Sequence, residues 1–145
     1  MSEQIYVGAD HAGFALKQKL VAELKRLGYE PVDVGPDKLD PVDDFPDFAK
    51  PVAQAVSGGT VQRGVLTCGT GLGMSYAANR FPKVRAAVAW SPEIAELSRK
   101  HNDANILVLP SRFVSEDDGL EILRTWLTTP FEGGRHQRRV EKIEP

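Results

Sequence analysis

The residues best suited to chemistry lie in one glycine-rich stretch, residues 64–80, which reads GVLTCGTGLGMSYAANR. An apolar run leads into Cys68, the only cysteine of the chain, and glycines then alternate at positions 69, 71 and 73. This pattern predicts a strand, a turn and a helix. Free N–H groups in such a turn, with the positive end of the following helix, suit an anion or a developing oxyanion. They would also favour the thiolate of Cys68, although a lone cysteine is as often a small buried apolar residue.

Three further groups of polar residues stand at positions suited to chemistry. Asp10 and His11 follow the first apolar run, and His101 ends a predicted helix. Arg135 and Arg139 are four residues apart, so they face the same way on a helix and suit a phosphate group. Each group also has a purely structural interpretation: a helix cap for the Asp-His pair, a half-buried histidine, and a solvated helix face for the arginines.

The elements that must position these residues follow from the apolar pattern. Helical segments alternate with five short apolar runs, which we predict as strands at residues 4–9, 31–34, 64–67, 85–90 and 106–109. The alternation predicts one domain over residues 1–145, a three-layer α/β/α sandwich with a five-stranded, mainly parallel, Rossmann-like sheet. Ligands bind beyond the carboxyl ends of such strands. We therefore expect the Asp10–His11 pair and His101 at the sheet edge that carries Cys68.

Composition excludes several classes of function. The chain has 145 residues, of which 41% are hydrophobic and 26% charged, as is ordinary for a globular protein. Its net charge of -2 argues against a general nucleic-acid binder. No apolar run is long enough to cross a membrane, and a single cysteine agrees with a reducing compartment. We expect a cytoplasmic protein with neither a nucleic-acid nor a membrane partner.

The glycine loop departs from three familiar phosphate-binding loops. A dinucleotide fingerprint requires G-x-G-x-x-G, whereas this loop reads G-x-G-x-G. A nucleotide P-loop requires Gly-Lys-Ser/Thr, but Met74 and Ser75 follow Gly73. A cysteine phosphatase loop would place an arginine at position 74. What remains is a thiol beside an oxyanion-binding turn, with histidines, a carboxylate and arginines, a set that suits proton transfer next to the carbonyl of a sugar phosphate without metal or cofactor.

Five segments, taken in order, resemble the ribose/galactose isomerase family, and most closely its B-type ribose-5-phosphate isomerases. They are GADHAGF (8–14), DFPDFA (44–49), CGTGLGMSYAANR (68–80), LSRKHNDANILVLPSR (97–112) and FEGGRHQRRV (131–140). The resemblance extends over nearly the whole chain. The resemblance implies a cofactor-free aldose-ketose isomerase of ribose 5-phosphate and ribulose 5-phosphate, working as a dimer or tetramer whose sites are shared between subunits.

The same resemblance implies roles for individual residues. It assigns catalysis to Cys68, Thr70, His101 and Asp10. It assigns binding of the sugar and its phosphate to His11, Gly69, Gly71, Gly73, Asn102, Arg112, Arg135 and Arg139. In this scheme Cys68 is the base that moves a proton between C1 and C2 through a cis-enediolate, and the other three catalytic groups assist opening of the furanose ring.

Two departures from the family pattern leave the sugar open. Phe45 stands where many relatives have tyrosine, and the loop over residues 35–43 has its own composition. Some relatives use a glutamate in place of the cysteine, at the position where this chain has Met74, so the resemblance implies the cysteine-using branch. The alternatives are an isomerase of allose or galactose 6-phosphate, a non-catalytic phosphosugar- or nucleotide-binding module and, less favoured, a metal-dependent isomerase using Asp10, His11 and His101.

Overall fold

A five-stranded sheet with helices on both faces forms the chain, which a computed structural model describes over residues 2–145. The strands are β1 (Gln4–Ala9), β2 (Glu30–Asp33), β3 (Arg63–Cys68), β4 (Ala86–Val88) and β5 (Ile106–Pro110). The helices are α1 (Phe14–Arg26), α2 (Pro46–Ser57), α3 (Leu72–Ala78), α4 (Pro92–Asn102), α5 (Glu116–Thr128) and α6 (Arg135–Glu141). Every strand pairing is parallel, in the order β2-β1-β3-β5-β4. The predicted α/β/α fold is confirmed.

Two hydrophobic cores, one on each face of the sheet, hold the three layers together. The first packs α1, α4 and α5 against the sheet and includes Leu20, Leu123 and Trp126. The second packs α2 and α3 against the opposite face and includes Val52 and Met74. None of these side chains is accessible to solvent. Among residues 2–145, no helix is both long and apolar enough to cross a membrane.

The alternation of side chains along β3 decides which way the thiol points. Val65 belongs to the first core, whereas Leu66 and Cys68 belong to the second. Successive side chains of a strand point to opposite faces, so Leu66 and Cys68 share the face that α2 and α3 cover. The thiol therefore lies on the side where the loops that precede these two helices approach the sheet.

The observed bounds differ from the predicted ones mainly at the edge of the sheet. β3 is one residue longer at each end than predicted, and β4 spans three residues rather than six. β4 is an edge strand that pairs only with β5, so it has one ladder of hydrogen bonds instead of two. Pro51 lies inside α2 without ending it.

Helix α4 carries the chain from one end of the sheet to the other. It begins at the capping residue Ser91, beyond the carboxyl end of β4, and its last residue, Asn102, lies just before β5 begins. Arg85, which precedes β4, donates a hydrogen bond from Nε to the carbonyl oxygen of Asp103 at 2.9 Å. The end of α4 thus lies at the amino edge of the sheet, opposite the edge that carries Cys68.

Candidate active site

A pocket of about 200 Å³ opens at the carboxyl edge of the sheet, above the ends of β1, β3 and β5. Its walls combine a thiol, a carboxylate, an imidazole, a hydroxyl, an aromatic ring and a guanidinium. The lining residues are Asp10, His11, Ala12, Phe45, Cys68, Gly69, Thr70, Gly73 and Arg112. The structure therefore brings together seven of the twelve residues that the sequence proposes for the site.

Asp10 is held in place by the turn that follows β1. Its Oδ1 atom accepts hydrogen bonds from the N–H groups of Ala12 and Gly13, at 2.9 and 3.1 Å. Gly13 is required here because a Cβ atom would lie 2.5 Å from the carbonyl oxygen of Thr67. The capping interpretation of Asp10 is correct, and the same carboxylate also lines the pocket.

His11 is tied to Asp43, a residue that the sequence did not single out. Asp43 Oδ1 accepts from the backbone N–H of His11 at 3.0 Å and lies 2.7 Å from its Nδ1 atom. The hydrogen bond to Asp43 is the main cause that raises the pKa of His11 above its ordinary value. His11 thus keeps its positive charge to a higher pH than a free histidine, which suits a group facing an anion.

The end of β3 is clamped from the end of β5. Ser111 donates from its backbone N–H to the carbonyl oxygen of Cys68 at 2.9 Å. Its hydroxyl Oγ lies 2.8 Å from the carbonyl oxygen of Ala12 and 3.2 Å from that of Cys68. Ser111 therefore fixes the turn after β1 relative to the thiol, a role that no local pattern in the sequence indicated.

The glycine loop carries backbone donors that have no acceptor in the described part of the chain. Within residues 2–145, the N–H groups of Gly69, Thr70, Gly71 and Gly73 find no acceptor. The hydroxyl of Thr70 accepts from the N–H of Leu72 at 3.2 Å and so keeps the loop folded. Unbonded N–H groups beside the thiol agree with the predicted oxyanion-binding turn.

Two of the three alternating glycines face the pocket, and the third does not. A Cβ atom on Gly69 would lie 3.0 Å from Nε of Arg112, so this guanidinium packs directly on the loop. Gly71, with φ +78°, turns toward Val88 and Val108 and does not line the pocket. Glycine is needed at position 71 because φ is positive there and a Cβ atom would crowd Val88 and Val108. The N–H of Gly71 remains unbonded within the described residues.

Arg112 is the one guanidinium in the wall of the pocket. Its backbone N–H donates to the carbonyl oxygen of Gly69 at 3.0 Å, which holds the side chain over the loop. It makes no ion pair with any carboxylate in the described part of the chain, whereas Arg63, Arg85 and Arg99 are each paired. An unpaired guanidinium next to unbonded N–H groups offers hydrogen-bond donors suited to a phosphate.

His101 does not lie where the sequence predicts. It stands in the last turn of α4, at the amino edge of the sheet, because the crossover helix must run antiparallel to the strands it connects. Asn102 is exposed beside it and faces away from the pocket of its own chain. The expectation that His101 joins Asp10, His11 and Cys68 within one chain is therefore wrong.

The remaining predicted residues group with His101. Arg135 and Arg139 lie on α6, which packs on α4, and both side chains are exposed. The ring of His136 stacks on that of His101 with centroids 4.4 Å apart. Burial is the largest cause of the lowered pKa of His136, and the positive charges around it act in the same direction. The predicted site thus divides into a pocket and a separate basic surface.

The side chains that lie close enough to hold a metal divide in the same way. His101 groups with Glu132 and His136, whereas Asp10 and His11 group with Asp43. The three ligands of the metal-dependent alternative, Asp10, His11 and His101, do not come together within the described chain. Within one described chain the structure therefore offers no common site for these three ligands.

Comparison with known proteins agrees with the resemblance. The model of a family described as Ribose/Galactose Isomerase matches residues 5–143, which is nearly the whole chain. This chain belongs to the ribose/galactose isomerase family. Its expected family and fold are therefore confirmed.

Several members of the ribose/galactose isomerase family match at full length. Ribose-5-phosphate isomerase B of Escherichia coli (strain K12) is 47% identical over 141 residues, covering 97% of this chain and 94% of the relative. The structure of Clostridium thermocellum ribose-5-phosphate isomerase B has a TM-score of 0.94 and 49% identity, over 97% of this chain and 94% of that one. The structure of ribose-5-phosphate isomerase B from Mycoplasma genitalium, with bound ribulose-5-phosphate, has a TM-score of 0.95 and 44% identity, covering 99% and 95%.

Proposed function

We propose that this chain interconverts ribose 5-phosphate and ribulose 5-phosphate without a cofactor. The observation that carries the proposal is the position of Cys68, in the wall of a pocket that the Asp10–His11 pair and the unpaired Arg112 also line. Family membership supports the reaction type, and the relatives with ribose-5-phosphate isomerase names support the substrate. A thiol, an oxyanion-binding loop and a cation at one end of a small pocket suit a short phosphorylated sugar with a reactive carbonyl.

In the proposed reaction Cys68 acts as the base. Its thiolate removes the proton from C2 of the open-chain aldose, the electrons pass into the C1 carbonyl, and a cis-enediolate forms. The protonated thiol then returns the proton to C1 while the O2 hydroxyl passes its own proton to O1, so that O2 becomes the ketose carbonyl and O1 becomes the C1 hydroxyl. The unbonded N–H groups of Gly69, Thr70, Gly71 and Gly73 would stabilise the enediolate oxygen. Asp10 and Thr70 stand in the same pocket and would assist ring opening.

We further propose that a second copy of the chain completes the site. His101, Asn102, Arg135 and Arg139 lie at the far edge of their own chain and cannot reach its Cys68. A two-fold pairing that brings the α4–α6 surface of one chain to the pocket of the other would add a histidine for ring opening and two guanidinium groups for the phosphate. His11 and Arg112 would hold the phosphate from the pocket side.

The experiment that tests this function is a panel of pentose and hexose phosphates assayed for aldose-ketose interconversion, with a chelator present throughout. We expect the highest kcat/KM for ribose 5-phosphate. A preference for allose or galactose 6-phosphate would favour the alternative hexose-phosphate isomerase. The phenylalanine at position 45, where many relatives have tyrosine, would then be the natural cause of that preference. Binding without interconversion of any sugar would favour a non-catalytic module. Activity lost with the chelator would contradict a metal-free mechanism.

The free thiol required of Cys68 also bears on where the protein works. A thiolate base stays active only where it is kept reduced, and the chain has no second cysteine with which to form an internal disulfide. We therefore propose a cytoplasmic enzyme.

A further inference from the structure

Asp43 contacts His11 more closely than any other carboxylate does. Its Oδ1 atom lies 2.7 Å from Nδ1 of the ring and accepts from the backbone N–H of the same residue at 3.0 Å. Two contacts to one residue, 32 positions away in the chain, fix both the backbone and the ring of His11. Asp43 does not itself line the pocket, so it acts on the pocket only through His11.

The Asp43 carboxylate is buried and its loop is anchored. The side chain is 6% exposed, and its Oδ2 atom is buried without a hydrogen-bond partner in the described residues. The backbone N–H of Asp43 donates to the carbonyl oxygen of Asp40 at 3.2 Å. Earlier in the same loop, the buried ammonium of Lys17 donates to Asp33 at 2.8 Å and to the carbonyl oxygen of Pro36 at 2.7 Å. A buried carboxylate with one unsatisfied oxygen is costly, which argues that its contact with His11 has a purpose beyond stability.

Three charged side chains face His11. Asp43 and Asp10 favour the imidazolium, Arg112 opposes it, and the hydrogen bond to Asp43 outweighs the others in raising the pKa of His11. Because Asp43 accepts a hydrogen bond from Nδ1–H, Nε2 is the ring nitrogen left to contact a ligand. Carboxylates orient histidines in the same way in other binding sites, where the carboxylate on one ring nitrogen sets the tautomer and the angle of the ring.

We propose that Asp43 is a positioning residue, which orients the His11 ring so that Nε2 binds the phosphate of the substrate. This inference rests on the proposed function, in which His11 holds the phosphate. Asp43 has no contact with the reacting carbons, and its effect is therefore expected in KM rather than in kcat.

The test compares Asp43→Asn and Asp43→Ala with Asp37→Asn. Asp43→Asn keeps the size of the side chain and removes its charge, whereas Asp43→Ala removes the contact altogether. Asp37 lies in the same loop, is exposed, and has no side-chain hydrogen bond within residues 2–145, so its variant controls for the loss of one negative charge. The His11 ring is titrated by NMR in each full-length protein, and kcat and KM for ribose 5-phosphate are measured across pH.

We expect Asp43→Asn to lower the pKa of His11 and to raise KM about tenfold, the scale of one charge-assisted hydrogen bond, with kcat within about twofold of wild type. The wild-type KM should rise only as pH passes through the raised pKa of His11, and this rise should begin at lower pH in Asp43→Asn. Asp43→Ala should raise KM further, and Asp37→Asn should change neither quantity.

Two results would overturn the inference. One is a His11 titration that is the same in Asp43→Asn and in wild type, and the other is a KM of Asp43→Asn equal to that of Asp37→Asn. Failure of the proposed function is a different result, because it appears as absent isomerisation in the wild-type protein. The NMR titration reads the coupling of the two residues whichever sugar phosphate is the substrate.

Discussion

The ring of Phe45 packs directly on the backbone of Gly73: a Cβ atom at position 73 would lie 2.8 Å from Cζ of the ring. This contact joins the residue before α2 to the first turn of α3 and forms one wall of the pocket. Glycine is therefore required at position 73, because a side chain there would clash with the Phe45 ring and would also obstruct a ligand that approaches the loop.

Gly73→Ala should move the Phe45 ring. We expect it to lower the free energy of unfolding by about 1–3 kcal/mol, as overpacking does, and to lower kcat/KM because the pocket wall shifts. In a Phe45→Ala background the same change should be neutral or slightly stabilising, because alanine favours a helix over glycine. Denaturant unfolding of the four proteins measures this cycle. An equal cost of Gly73→Ala in both backgrounds would show that the ring is not the cause.

Cys68→Ala should abolish most of the turnover and leave the fold intact. Losing a general base costs about two to four orders of magnitude in kcat. Met74→Leu is the matched control, because it removes the other sulfur near the loop from a fully buried position that does not line the pocket. Steady-state kinetics and circular dichroism measure the two effects. Wild-type turnover in Cys68→Ala would show that another group is the base.

Mixed assemblies test the shared site. Cys68→Ala and His101→Asn should each be nearly inactive alone, but mixing them through unfolding and refolding should restore about a quarter of wild-type activity, because random two-fold pairing leaves one site in four with both residues intact. Each variant refolded alone is the control. If the mixture stays inactive although capture through an affinity tag on one variant recovers the other variant with it, Cys68 and His101 do not act together across that interface.

Arg139→Ala should raise KM about tenfold or more with little change in kcat, because the phosphate is held in the ground state and the transition state alike. Arg138→Ala is a close control, since its side chain is also exposed and lies on the same helix but points in a different direction. Kinetics with ribose 5-phosphate distinguishes them. Equal KM values for the two variants would indicate only a general effect of charge.

Glu23 should make stability depend on pH. Hydrogen bonds from Arg26 and then Arg124 are the main causes that lower its pKa from 4.5 to about 2. A carboxylate with a lowered pKa stabilises the fold above its unfolded pKa, and this contribution is lost as pH falls from about 4.5 to about 2. Glu23→Gln should therefore be less stable than wild type at pH 7, and the difference should shrink over that interval. Glu121→Gln, at an exposed position on α5, should match wild type throughout.

Local patterns were sufficient for most of the fold. The helix start at Ser91 and the cap at Ser115 are correct because each depends on contacts within a few residues. The length of β4 was overestimated, since a strand at the edge of the sheet loses pairing that its apolar sequence would support in the centre. The order of the strands was not predicted at all, because it depends on which distant segments pair.

The candidate site shows the same difference between local patterns and long-range contacts more clearly. The sequence by itself determined the family and the parallel α/β fold, and it predicted the Cys68 loop as the place for chemistry, since residue types and short spacings carry that information. Tertiary structure alone decided that Asp43 supports His11 across 32 residues, and that His101 stands at the opposite edge of the sheet. The physical reason is that a long-range contact depends on the path of the whole chain, and a crossover helix returns its last residues to the edge where the next strand begins.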